Sequence, residues 1–80
     1  MPDTPETRAR RITADVLGVD PDAIQAESSL RSDLHMDSLD AVSLAMALEE
    51  EFDVEIVEET LDRARTFGDL LRIVTAPVEA

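Results

Sequence analysis

Asp33-Leu34-His35-Met36-Asp37-Ser38-Leu39-Asp40 runs without a break into Ala41-Val42-Ser43-Leu44-Ala45-Met46-Ala47-Leu48-Glu49-Glu50-Glu51-Phe52. The second part has the spacing of an amphipathic helix, and the first part ends in two good N-cap residues, Asp37 and Ser38. A helix over 37–52 follows. Stepping about 100° per residue splits it into two sides. Ala41, Leu44, Ala45, Leu48 and Phe52 share one arc, expected to face the core. Leu39, Val42 and Met46 fall opposite, with Ser43, Glu50 and Asp53, and Glu49 borders them. Large apolar residues ringed by carboxylates on an exposed side make a protein-docking surface. The competing reading is a helix central in a bundle, apolar nearly all round, which would bury Leu39 and Met46 too. Met46 tips the balance towards docking, because a flexible thioether suits a surface that meets several partners.

Outward from that helix, the rest of the chain also reads as helical. Thr4-Pro5-Glu6 is a helix start, with Thr4 as N-cap, Pro5 in the first turn and Glu6 favourably placed near the helix N-terminus. Ala9, Ile12, Val16 and Val19 then give one apolar face, the arginines lie off it, and Gly18 is a natural stop. Residues 19–36 form a long connection with a turn at Asp20-Pro21-Asp22 and with Ile24, Leu30 and Leu34 as anchors. Ser28 or Ser29 is placed to cap a short turn within it. After the connector Asp53-Val54-Glu55-Ile56 comes a short helix over 57–63. The last helix, 66–76, opens with Thr66 and Asp69 as a capping box, shows Leu70, Leu71, Ile73 and Val74 on its apolar face, and stops at Pro77. No strand alternation or repeat is sustained. The expected fold is all-α, a small bundle of three long helices (about 4–18, 37–52 and 66–76) plus one short helix, in a single domain over 1–80.

Charge and composition narrow the function. Nineteen acidic residues face seven basic ones, all arginine, for a net charge of -12. From Asp33 to Asp62 the chain holds eleven carboxylates and no Lys or Arg. Such a surface repels nucleic acid and anionic lipid and steers towards basic partners. It also repels itself, so salt or divalent cations should stabilise the fold. There is no cysteine, hence no disulfide and no thiol encoded by the sequence. No apolar run is long enough to cross a membrane, no signal-peptide core is present, and a cytoplasmic monomer is expected.

Ser38 is the residue with chemistry to explain. Capping alone would account for a lone serine in this context, and Ser38→Ala is then expected to keep the fold at a loss of about 1 kcal/mol. The helix start also suits a phosphate, because free backbone N–H groups and the helix dipole favour negative charge there. A hydrolase is a poor fit: the single histidine, His35, stands three residues away, and no Gly-x-Ser-x-Gly elbow is present. A metal site would need carboxylates alone, and Asp53–Glu59 lacks the glycine and oxygen spacing of an EF-hand loop.

The string from Asp33 through Phe52, with Asp37-Ser38-Leu39 at its centre, resembles the central segment of the acyl carrier proteins. Ile12 to Gly18 is similar to the end of that family's first helix, Leu30 to Leu34 to its loop anchors, and Arg65-Thr66-Phe67-Gly68-Asp69-Leu70 to the opening of its last helix. The resemblance implies a carrier, not an enzyme. It implies a 4'-phosphopantetheine arm, moved from coenzyme A onto Ser38 by a phosphopantetheinyl transferase and holding acyl groups as thioesters. It implies docking on basic patches of synthases, reductases, dehydratases and transferases in fatty acid, polyketide or specialised lipid synthesis, through Leu39, Val42, Met46, Glu49, Glu50 and Ile56. It also implies an acyl cleft lined by the core face of the central helix, Leu34 and the last two helices. Peptidyl carrier domains share the fold but usually have an uncharged residue before the serine, where this chain has Asp37. An unmodified acidic interaction module or a peptidyl or aminoacyl carrier are the alternatives. His35 and Met36 depart from the family, which usually has glycine and a small residue there. Surface drift explains both; if position 35 needs positive φ, histidine pays a cost there, and its imidazole could act as a charge switch beside the phosphate. Ser43 in place of a usual acid, and the small Ala64, point to a specialised pathway or a wider cleft.

Overall fold

The computed structural model describes residues 4–75. Within them lie four helices: α1 (Pro5–Leu17), α2 (Ser38–Phe52), α3 (Glu58–Arg63) and α4 (Phe67–Thr75), with one 3-10 turn at Pro21–Ala23. The β-type pairing among the described residues is a single bridge, Ser29 with Thr66. Ala76 and the stop at Pro77 lie outside the described residues. The all-α bundle is the architecture the hydrophobic spacing predicts.

The helices other than α3 start on side-chain caps. The Thr4 side chain accepts from the Thr7 N–H and Pro5 opens α1, while Gly18 closes it in the left-handed region at φ 69. The Asp20 side chain accepts from the Asp22 N–H to start the 3-10 turn. At α4 the capping box forms in both directions: Asp69 N–H donates to Thr66 Oγ1 at 3.2 Å, and Thr66 N–H donates to Asp69 Oδ2 at 3.3 Å. Helix α3 has no side-chain cap, with Val57 at its N-cap position.

The core gathers Leu44 and Leu48 of α2, Ala9 and Ala14 of α1, Leu61 of α3, Phe67, Leu70 and Val74 of α4, and the loop anchors Ile24, Leu30 and Leu34. Ile12, Val16 and Val19 pack against it half-buried. Thr13 and Ala14, which the spacing argument passes over, are buried, and Thr13 Oγ1 has no hydrogen-bond partner. The arginines are also not simply off the apolar face. Arg8 lies over the Phe52 ring, 4.9 Å from its centroid, and Arg10 over that of Phe67 at 5.3 Å, so their guanidinium groups cover ring faces of core and core-packed residues.

The long loop is fastened to the start of α4 by main-chain bonds. Leu30 N–H donates to Arg65 O at 2.9 Å, Phe67 N–H to Ser28 O at 3.0 Å and Gly68 N–H to Ala26 O at 2.8 Å. The last contact explains the glycine, since a Cβ at position 68 would stand 2.9 Å from Ala26 O. Ser28 and Ser29 both serve turns: Gln25 N–H donates to Ser28 Oγ, and Ser32 N–H to Ser29 Oγ. This lacing delivers the chain to the head of α2 in a fixed place.

Candidate functional site

Ser38 is the first residue of α2 and is exposed. It is not the cap. Asp37 holds that position, with Asp40 N–H donating to Asp37 Oδ1 at 2.8 Å and Asp37 N–H donating to Asp40 Oδ2 at 3.3 Å. The two aspartates thus close a capping box around the serine, and Ser38 Oγ bonds to no group among the described residues. The expected capping loss on Ser38→Ala is therefore corrected: the hydroxyl supports nothing in the fold. It is free for chemistry at a helix N-terminus, where developing or fixed negative charge is favoured.

The approach to Ser38 is rigidly threaded. Leu34 N–H donates to Ser29 O at 3.0 Å and Met36 N–H to Leu30 O at 2.8 Å, and Leu34 and Met36 are both buried. Met36 is thus a core residue, and surface drift does not describe it. Between them His35 is exposed, with φ 58. The position does need positive φ.

Along α2 the two sides separate as the helical wheel predicts. Leu44 and Leu48 are fully buried, and Ala41, Ala45 and Phe52 pack half-buried against the core. On the other side Leu39 is 78% exposed, Val42 55% and Met46 61%. Ser43, Glu50 and Asp53 are exposed beside them. The central-helix alternative, which would bury Leu39 and Met46, is excluded. Val57, at the N-cap position of α3, is exposed as well, where the sequence reading places it inside the short helix.

Two of the residues expected on this face sit elsewhere. Ile56 is buried, at 7% exposure, as part of the core. Glu49 is half-buried, and its Oε2 accepts from the Ile56 N–H at 2.7 Å. Asp53 ends α2 in the left-handed region at φ 54, with its N–H bonded to Glu49 O. The turn after α2 folds Ile56 back under the helix and Glu49 holds it there. A shallow groove of about 220 Å³ opens at this seam, lined by Val42, Ala45, Met46, Glu49, Ile56 and Leu61. It differs from the expected cleft: Leu34 and α4 take no part in its lining. The central side of α2 is already filled by Leu44, Leu48, Phe67 and Leu70, and this groove opens on the flank towards α3.

Comparison with known proteins agrees with this fold. The family model described as "Phosphopantetheine attachment site" matches residues 7–74. An acyl carrier protein of Thermosynechococcus vestitus is 45% identical over 91% of this chain and 90% of its own length. One from Clostridium acetobutylicum is 44% identical over 90% and 94% respectively. A solved structure described as an acyl carrier protein from Mycobacterium tuberculosis superposes with a TM-score of 0.82 at 31% identity, covering 89% of this chain and 95% of its own.

Proposed function

The chain belongs to the acyl carrier protein family, which works with a covalently bound 4'-phosphopantetheine, and on that premise we propose that Ser38 is the attachment point. The observation that carries this is the free, exposed Ser38 hydroxyl at the head of α2, relieved of capping by Asp37 and Asp40. The residues present fit a phosphodiester: a hydroxyl with room around it, at a helix N-terminus whose field favours a negative charge. When bound, the arm supplies a terminal thiol that holds an acyl group as a thioester.

The chain's own residues do the rest. Ser38 Oγ loses its proton and bonds to phosphorus when a phosphopantetheinyl transferase moves the arm from coenzyme A, with the nucleotide portion leaving. Asp37 and Asp40 keep the first turn of α2 formed, so the serine is presented at one place. Leu39, Val42, Met46 and Glu50 form an exposed docking face for basic patches on the enzymes that load, modify and unload the cargo. Glu49 and Ile56 act behind it as supports, not as contacts. The flank groove between α2 and α3 gives the first methylenes of a chain a place to rest. Catalysis belongs to the partners, and this chain presents the substrate. Electrostatic complementarity raises association rate more than affinity, so docking is fast, weak and salt-sensitive. We read all of 1–80 as one such domain, monomeric and cytoplasmic, where coenzyme A and the transferase are met. Among the described residues no helix is long and apolar enough to cross a membrane.

The test is an intact mass before and after incubation with coenzyme A and a broad-specificity phosphopantetheinyl transferase, with the modified peptide sequenced. One arm mapped to Ser38 is expected. Ser38→Ala should take none and should unfold at the wild-type midpoint within about 0.5 kcal/mol, since its hydroxyl bonds nothing. A folded wild-type chain that takes no arm would instead favour an acidic interaction module.

A further inference from the structure

A phosphodiester on Ser38 would add one negative charge to a neighbourhood that already holds several. Asp33, Asp37 and Asp40 flank the site in sequence. All three carboxylates are spent on backbone N–H groups, of Ser29, Asp40 and Asp37 in that order. No Lys or Arg occurs between Asp33 and Asp62, and Arg31 on the same loop reaches across to Asp62 of α3 at 3.5 Å. His35 is the only side chain of that stretch able to carry a positive charge.

Its placement makes it useful. The residues on either side, Leu34 and Met36, are buried and tied by their N–H groups to Ser29 and Leu30. The His35 backbone is therefore fixed, and its imidazole is exposed. Three residues span at most about 10 Å of chain, well within the combined reach of an imidazole and a serine-borne phosphate. A left-handed position is adopted most cheaply by glycine, yet this chain keeps a histidine there at φ 58.

We propose that His35 is a contact for the phosphodiester carried on Ser38, donating a ring N–H to it and, when protonated, supplying the charge this acidic stretch otherwise lacks. The inference rests on Ser38 as the attachment point. Its consequence is a hold on the base of the arm, which is drawn against the head of α2.

The test uses the full chain in apo and holo forms, followed by ³¹P and ¹H NMR from about pH 5 to 8, where an imidazole titrates and a phosphodiester does not. In the holo protein the ³¹P signal should move with an inflection shared by the His35 ring protons. Proton binding by His35 should be at least about threefold stronger in holo than in apo protein, as expected for an anion within hydrogen-bond reach. His35→Asn, which tolerates positive φ, and His35→Gly, which prefers it, should both fold and both lose the ³¹P inflection. Superposable His35 titrations in the two forms would overturn the contact, and so would an inflection that survives in both variants. A chain that accepts no arm at Ser38 overturns the contact together with the reading beneath it. A loaded chain without the inflection overturns the contact alone.

Discussion

The two faces of α2 are built from the same kinds of residue and meet opposite fates. Leu44 and Leu48 are fully buried, whereas Leu39, Val42 and Met46, on the same helix, are more than half exposed. Hydrophobicity does not separate them. Position on the wheel does, and so does company: the buried pair faces Phe67 and Leu70, while the exposed trio shares its side with Ser43, Glu50 and Asp53. An apolar residue left in water by a fold that has already filled its core is available to a partner, and charged neighbours keep such a face soluble until one arrives.

The strongest way to break the comparison is on the buried side. Leu48→Ala should cost about 2–5 kcal/mol, because it opens a cavity between α2 and the rest of the core. Denaturant unfolding measures it, and a loss below about 1 kcal/mol would mean that α2 is not packed as described.

Glu49 stands at the seam between the faces and sharpens the contrast among carboxylates. Glu49→Ala leaves the Ile56 N–H without its acceptor and should cost about 1–2 kcal/mol. Glu50→Ala removes an exposed charge and should change stability by no more than about 0.5 kcal/mol. Paired unfolding curves decide the point, and equal effects would deny Glu49 its supporting role. Glu50 is for that reason the acid on which docking electrostatics is cleanly tested, since a change at Glu49 disturbs the loop as well.

The smallest effect expected is a pH slope. Backbone N–H groups of Arg65 and Thr66 bond the Asp69 carboxylate and hold its pKa below the ordinary 3.8. The folded state therefore binds this proton less readily than the unfolded chain. The contribution is fully present above the ordinary value and is lost as pH falls through the lower, folded one. Asp69→Asn should flatten the stability profile below about pH 4 and leave its shape near neutrality unaltered. An unchanged acid slope would contradict the capping role.

Much of this was readable in the chain because local chemistry and fold agree. Thr4, Pro5 and Gly18 bound α1, Thr66 and Asp69 cap α4, and the helical wheel sorts α2 correctly. What escaped depends on tertiary context. Ile56 follows a charged connector with no periodicity, and only the left-handed turn at Asp53 shows that the chain doubles back to bury it. Asp37 and Ser38 are equally good caps by residue type, and the geometry alone assigns the role to Asp37 and leaves the serine free. Met36 looks like a surface departure until its N–H bond to Leu30 places it in the core. Thr13 is polar by composition yet fully buried, a position that only packing reveals.

Under the proposed function, enzymes dock on the exposed side of α2 to reach Ser38. The most direct measurement is the rate of arm transfer at low ionic strength, read by mass, for the wild type and for Met46→Glu. Met46 is 61% exposed and outside the core cluster, so the variant should unfold within about 0.5 kcal/mol of the wild type, while its kcat/KM as a substrate should fall at least about tenfold, equivalent to about 1.4 kcal/mol. A folded Met46→Glu chain modified at the full wild-type rate would contradict the account.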